Sequence, residues 1–130
     1  YTKYFKEIES MAKSGLFQIV GHLDLIKVFN KLPKTDVRIL AKSAIQAIKK
    51  SNMVVEINTA GFRKPAKEQY PSIPLLEMIY EENINITFSS DAHSIDDIGQ
   101  DLHKAQSIAK NIGFTQCAYF TKKDISLINF

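Results

Sequence analysis

Only one cysteine, Cys117, occurs in the 130 residues, so no internal disulfide can form. It lies in the apolar stretch Cys117-Ala-Tyr-Phe120, where a buried thiol is expected rather than a reactive one. No apolar run approaches the ~20 residues that cross a bilayer, and the opening residues lack the apolar stretch of a secretory signal. No Gly-x-Ser-x-Gly elbow and no glycine-rich phosphate loop is present, which removes the local devices of serine hydrolases and P-loop enzymes. There is no repeat, no low-complexity tract and no block of five or six like charges. The net charge of +3 is spread over lysines on helical faces, a solvated surface rather than the basic, aromatic-interleaved stripe of a nucleic-acid binder. A soluble, cytoplasmic protein without a membrane partner is the expectation.

With 45% hydrophobic residues, the chain can bury one modest core, and a single domain over residues 1–130 is expected. It starts at Tyr1 in a stretch already helical in pattern, so we expect a partial domain cut from a longer protein. Tyr4, Phe5, Ile8 and Met11 recur at helical spacing up to Ser14-Gly15, before the strand-like run Leu16 to Val20. A second helix is predicted from Asp36 to Lys50, capped by Thr35, with Asn52 as breaker. A strand Met53–Asn58, a loop through Arg63, Lys64 and Pro65, and a helix around Ile73 to Glu82 capped by Ser72 follow. Next come a strand Ile84–Phe88, a capping box Ser94-Ile-Asp-Asp97 opening a helix that ends near Gly113, and a last strand Gln116–Phe120. Strands alternating with helices at this length predict parallel crossovers and an α/β fold, either a barrel segment or an open sheet. In both, chemistry sits at the C-terminal ends of the strands.

The polar residues that could do chemistry fall at those ends. Asp91 and His93 lie two apart just after the Ile84–Phe88 strand, so an extended backbone would aim one carboxylate and one imidazole to the same side, as a metal-ligand pair requires. The spacing alone is common by chance, and loop polarity explains it equally. His22 and Asp24, in Gly21-His-Leu-Asp24, repeat the spacing in reverse after the first strand. A surface or capping role competes with metal binding for His22. Asp24 fits a ligand, a partner that orients an imidazole, or a contact to a cationic substrate. At the third strand end, Val54, Glu56 and Asn58 share a face, and Arg63 follows on the same rim. Its planar fork suits two phosphate oxygens, against the plainer reading of an arginine paired with a neighbour. Glu56 is readable as an interior polar residue, and His103, in mid-helix among polar neighbours, is left out of any site.

Taken in order, Gly21-His-Leu-Asp-Leu-Ile-Lys27, Glu56-Ile-Asn-Thr-Ala-Gly-Phe-Arg-Lys64, Tyr70-Pro-Ser72 and Ser89-Ser-Asp-Ala-His93 resemble the C-terminal half of histidinol-phosphate phosphatases of the PHP (polymerase and histidinol phosphatase) superfamily. The resemblance implies the C-terminal part of a distorted seven-stranded (β/α) barrel, with parallel strands alternating with helices. It implies divalent metal ions (zinc, manganese or iron), multinuclear in the complete enzyme, with His22, Asp91 and His93 on ligand positions. Asp91 and His93 would then be the catalytic pair, with Arg63 on the substrate phosphate and Asn58 and Asp24 as further substrate contacts. The implied reaction is phosphomonoester hydrolysis, histidinol phosphate to histidinol and phosphate in histidine biosynthesis, by in-line attack of metal-activated water with no protein nucleophile.

The family's N-terminal His-x-His and the ligands after it are absent, so the site is half built and the missing N-terminal half of the barrel is an expected partner. Three ligands would still suffice for one ion completed by water. Two alternatives stand beside this reading: a PHP phosphoesterase acting on a nucleotide or nucleic-acid end, and a non-catalytic half-barrel whose open sheet edges drive homo-oligomer formation or partner binding.

Overall fold

A computed structural model describes all 130 residues. The first helix, α1 (Thr2–Lys13), buries Phe5 and Ala12 and leans Tyr4, Ile8 and Met11 against the core. It stops at Ser14, followed by Gly15 at φ +69°, the left-handed conformation glycine adopts without cost. The second helix, α2 (Val37–Lys50), presents Ala41, Ala44, Ile45, Ala47 and Ile48 to the core. Its three alanines let α1 approach closely, and the Ser51 hydroxyl donates to the Ala12 carbonyl at 2.8 Å, tying the two helix ends. The cap is Asp36, whose carboxylate receives the Arg38 N–H at 2.9 Å, and not Thr35 as expected. A carboxylate at the first turn also answers the helix dipole.

Three parallel strands lie in the order β1-β2-β3: β1 (Ile19–Val20), β2 (Val54–Asn58) and β3 (Ile86–Ser89). Val20 pairs with Val55, and β2 pairs with β3 from Val55 with Ile86 to Asn58 with Ser89. The central strand buries Val54, Val55, Ile57 and Asn58 and leaves only Glu56 partly open. Strand β1 is far shorter than the expected Leu16–Val20. Leu16 and Phe17 stay exposed at the sheet edge, and only Ile19 and Val20 find ladder partners. The crossover after β2 is α3 (Ile73–Glu81), with Leu75, Leu76 and Ile79 buried. Ser72 occupies its N-cap position, yet its hydroxyl makes no capping bond; the Ile73 N–H goes to Glu68 Oε1 at 3.2 Å instead.

The helix expected to open at Ser94 begins later, as α4 (Leu102–Ile112). Residues Ile95–Asp97 form only a 3-10 turn, because the Asp97 carboxylate is drawn to the His93 N–H and to Arg63. After Gly113 the chain makes an antiparallel hairpin, β4 (Gln116–Thr121) and β5 (Asp124–Asn129), with Thr121 opposite Asp124. The second hairpin strand escaped the sequence because its turn, Lys122-Lys123, carries none of the Asn-Gly or Asp-Gly signals, although Lys122 adopts φ +60°. The hairpin packs beside β3 through Phe88 and Phe130, whose rings meet edge to face at 4.9 Å, and forms a separate sheet. The architecture is thus an α/β fold with a three-stranded parallel sheet: helices and strands alternate as expected from α1 to β4, and only the antiparallel β5 departs from the pattern. Cys117 is buried in β4, as expected, and burial pushes its thiol pKa up.

Candidate functional site

Strand β3 ends at Ser89, whose hydroxyl receives the Asp91 N–H at 3.0 Å and turns the chain at once. Asp91 sits at φ +48°, so the extended backbone expected to align it with His93 is lost there. A tight turn brings them together instead. His93 Nδ1 lies 2.8 Å from the Asp91 carbonyl oxygen and 4.0 Å from its Oδ1. A carbonyl only accepts, so Nδ1 carries the proton in the neutral ring, and Nε2 is left with a free lone pair, the form in which imidazole ligates metals. The His93 side chain is 80% exposed and that of Asp91 35%, so both remain reachable.

The base of this loop is held by Arg63, at the end of the 3-10 turn Thr59–Arg63 that follows β2. Its NH2 donates to the Ser90 carbonyl at 2.7 Å, Nε lies 3.2 Å from Asp97 Oδ1, and NH1 is 3.9 Å from Asp101 Oδ2 without a hydrogen bond. Two more bonds fasten the same loop: the Gly99 N–H to Ser90 Oγ at 3.1 Å, and the Thr59 hydroxyl to the Gln100 carbonyl at 2.6 Å. The His93 N–H, with help from Ser94 and Arg63, holds the Asp97 carboxyl below the ordinary range. Arg63 is therefore engaged with its neighbours, and its Nη1 is buried beside Asp101 with no hydrogen-bond partner.

At the end of β1, His22 sits at φ +27° and donates its N–H to Glu56 Oε2 at 2.7 Å. Glu56 also receives Asn58 Nδ2 at 3.0 Å and is an interior polar residue bonded to its neighbours. Asn58 is 1% exposed. Its Oδ1 takes the Ala60 N–H at 3.0 Å, so both ends of the carboxamide are engaged inside the fold. His22 and Asp91 leave strands on either side of β2, roughly 10 Å apart at two strand spacings. No group of three or more His, Cys, Asp or Glu side chains lies close enough to hold an ion. The chain brings Asp91 and His93 together and leaves His22 apart, so the expected three-ligand site is not assembled by these side chains.

Asp24 turns inward from the same loop. It is 1% exposed; Oδ2 receives the Ser72 N–H at 3.0 Å and lies 3.1 Å from Lys27 Nζ, while Oδ1 has no partner. Lys27, also buried, donates to Glu68 Oε2 and to the Gln69 carbonyl, both at 2.7 Å. Burial pushes the Asp24 carboxyl pKa up against the opposing pull of Lys27 and Ser72. The Tyr70 phenol, buried and unpartnered, is pushed up first by burial and then by Asp24 and Asp91, which places it within electrostatic reach of both loops. None of Lys27, Glu68, Tyr70 and Asp101 was expected at the site, and Asp97 was expected only to cap a helix. Only the Asp24-x-x-Lys27 spacing carried a signal, that of an i,i+3 ion pair.

No family model matches the chain. It is 34% identical over 113 residues to a protein of Deinococcus radiodurans named "Probable histidinol-phosphatase", a stretch covering 87% of this chain and 43% of that protein. It is 32% identical over 108 residues to the histidinol-phosphatase of Bacillus subtilis, covering 76% of this chain and 40% of the relative. A crystal structure from Listeria monocytogenes, assigned as a histidinol phosphatase, superposes with a TM-score of 0.67 at 25% identity over 78% of this chain and 42% of that one. The chain thus spans about two fifths of the length of the relatives it matches.

Proposed function

We propose, from the premise that the chain is a histidinol-phosphatase-like member of the PHP (polymerase and histidinol phosphatase) superfamily, that it contributes to hydrolysis of histidinol phosphate to histidinol and phosphate. The observation that carries the reading is the Asp91–His93 pair, the imidazole exposed and the carboxylate half-buried beside it at the C-terminal end of a parallel strand. In this reading the chain is the C-terminal part of a β/α barrel acting in the cytoplasm on a small phosphorylated substrate. Asp91 and His93, with His22 and ligands from the rest of the barrel, would hold divalent zinc, manganese or iron. Such ions would supply charge neutralisation on the phosphoryl oxygens and activation of water.

What this chain's own residues do is narrower. The Asp91 carbonyl fixes the His93 ring with Nε2 outward. Arg63 holds the loop at Ser90 and Asp97 and sets its positive charge beneath the rim that a phosphate would approach. Asp24 and Asn58 face inward and support the rim. The test is phosphate release from histidinol phosphate with added manganese, zinc or iron, measured on this chain and on a protein that also carries the rest of the barrel. Release by the longer protein and little by the chain alone is expected; an inactive longer protein overturns the assignment.

A further inference from the structure

The segment Asp91-Ala-His93 is gripped at both ends, and both grips lead to Arg63. On the near side, Arg63 Nη2 donates to the Ser90 carbonyl at 2.7 Å, one residue before Asp91. On the far side, the His93 N–H donates to Asp97 Oδ2 at 3.2 Å, and Asp97 Oδ1 lies 3.2 Å from Arg63 Nε. One carboxylate thus ties the backbone of His93 to the guanidinium that also holds Ser90. The His93 ring makes its bond inside this span, through Nδ1 to the Asp91 carbonyl at 2.8 Å. With the ring 80% exposed, packing does little to hold it. Its orientation therefore depends on how firmly the backbone of residues 91 and 93 is set.

A local explanation competes. Asp97 stands three residues after Ser94, where an acidic side chain commonly folds back on the start of a helix. The Ser94 hydroxyl, however, gives no capping bond in return, and the turn Ile95–Asp97 is only three residues long. The second oxygen of Asp97 leaves the turn altogether and meets Arg63. The outline of the loop is fastened elsewhere, by the Gly99 N–H on Ser90 Oγ and by the Thr59 hydroxyl on the Gln100 carbonyl. Loss of Asp97 should leave that outline in place and free mainly His93.

We infer that Asp97 is a positioning residue, which together with Arg63 keeps His93 Nδ1 on the Asp91 carbonyl and Nε2 facing outward. What the ring serves rests on the function proposed above; the brace itself is tested on the metal-free chain without substrate. NMR at about pH 8.5, where imidazole is neutral, reads the tautomer of the His93 ring and the exchange rate of its amide. The Nδ1–H tautomer should dominate in the unaltered chain. Asp97→Ala should give a mixture of both tautomers and speed exchange at the His93 amide about tenfold, with the urea midpoint unchanged. Asp97→Asn should act in the same direction, because its NH2 would face one of two nitrogens that already carry protons. Arg63→Ala should reproduce both changes, and the double variant should go no further than either single one, as members of one network do. A His93 ring that keeps its tautomer in Asp97→Ala and Asp97→Asn overturns the inference. So does an Arg63→Ala chain whose His93 amide and ring are unchanged, since Asp97 would then be only a local cap. An inactive longer protein would overturn the functional reading and leave these outcomes standing.

Discussion

The loops after β1 and β3 each leave the parallel sheet with an aspartate and a histidine two residues apart, and the fold uses them in opposite ways. After β1, Asp24 is turned inward and locked to Lys27 and Ser72. After β3, His93 is exposed and Asp91 half-buried but reachable, while the loop beneath them is pinned by Arg63. The sequence spacing is the same; what separates them is which donors and acceptors the fold has already consumed. A buried, paired carboxylate is a structural element whose loss disturbs the core. An exposed pair on a pinned loop is free for chemistry, and its loss should leave the core intact.

The strongest test of that contrast is Lys27→Met. It removes the partner of a buried carboxylate, and breaking such a pair costs about 3–5 kcal/mol. Urea unfolding at neutral pH should show that loss, and a change under 1 kcal/mol would mean that Asp24 is better solvated than its burial indicates. Replacing both partners, as Asp24→Leu with Lys27→Met, should recover much of the stability, since well-packed apolar residues can replace a buried ion pair.

Gly61 lies in the turn from which Arg63 reaches the β3 loop, and its Cα faces the segment that carries Glu68. A Cβ there would sit 2.0 Å from the Glu68 carbonyl oxygen. Gly61→Ala should therefore cost about 1–3 kcal/mol and disturb both loops, because the obstructing atom is backbone. A smaller, local effect is expected for Arg63→Ala. Hydrogen exchange at the Asp91 and Gly99 amides should speed up about tenfold while β2 stays protected, since the lost bonds tie only the loop. Arg63→Lys should not restore protection, because one ammonium cannot span the Ser90 carbonyl and Asp97 together as the planar fork does. Equal acceleration in β2 would show that Arg63 supports the whole sheet.

The helices were legible in the sequence because their burial follows a 3.6-residue period; α2 is fixed by Ala41, Ala44, Ile45 and Ile48 alone. Strands were less so. An edge strand such as β1 is set by how much backbone finds a partner, and the apolar run Leu16 to Val20 does not reveal that its first residues stay unpaired. The capping-box pattern at Ser94 misled because Asp97 has two stronger claimants, the His93 N–H and Arg63, both fixed by tertiary structure. For the site, the positions of His22, Asp91 and His93 at strand ends were readable. That β2 would separate His22 from the other two, and that Asp24 would face inward, depends on strand order and on Lys27 and Ser72 meeting it from two segments.

The smallest expected change in stability is the one that bears most on chemistry. The His93 ring is 80% exposed, and its one bond, to the Asp91 carbonyl, lies within the same turn. Truncation to alanine therefore removes almost no buried surface and leaves no buried group unpaired, so unfolding stability should shift by no more than about 0.5 kcal/mol. Lys27→Met should change stability several-fold more than His93→Ala in the same denaturation experiment. In a protein that carries the rest of the barrel, His93→Ala should reduce phosphate release from histidinol phosphate to near background, with the fold unchanged by circular dichroism. A His93→Ala protein that keeps full activity would place the chemistry elsewhere. One that loses stability as Lys27→Met does would erase the distinction between a loop that serves the core and a loop that the core holds ready.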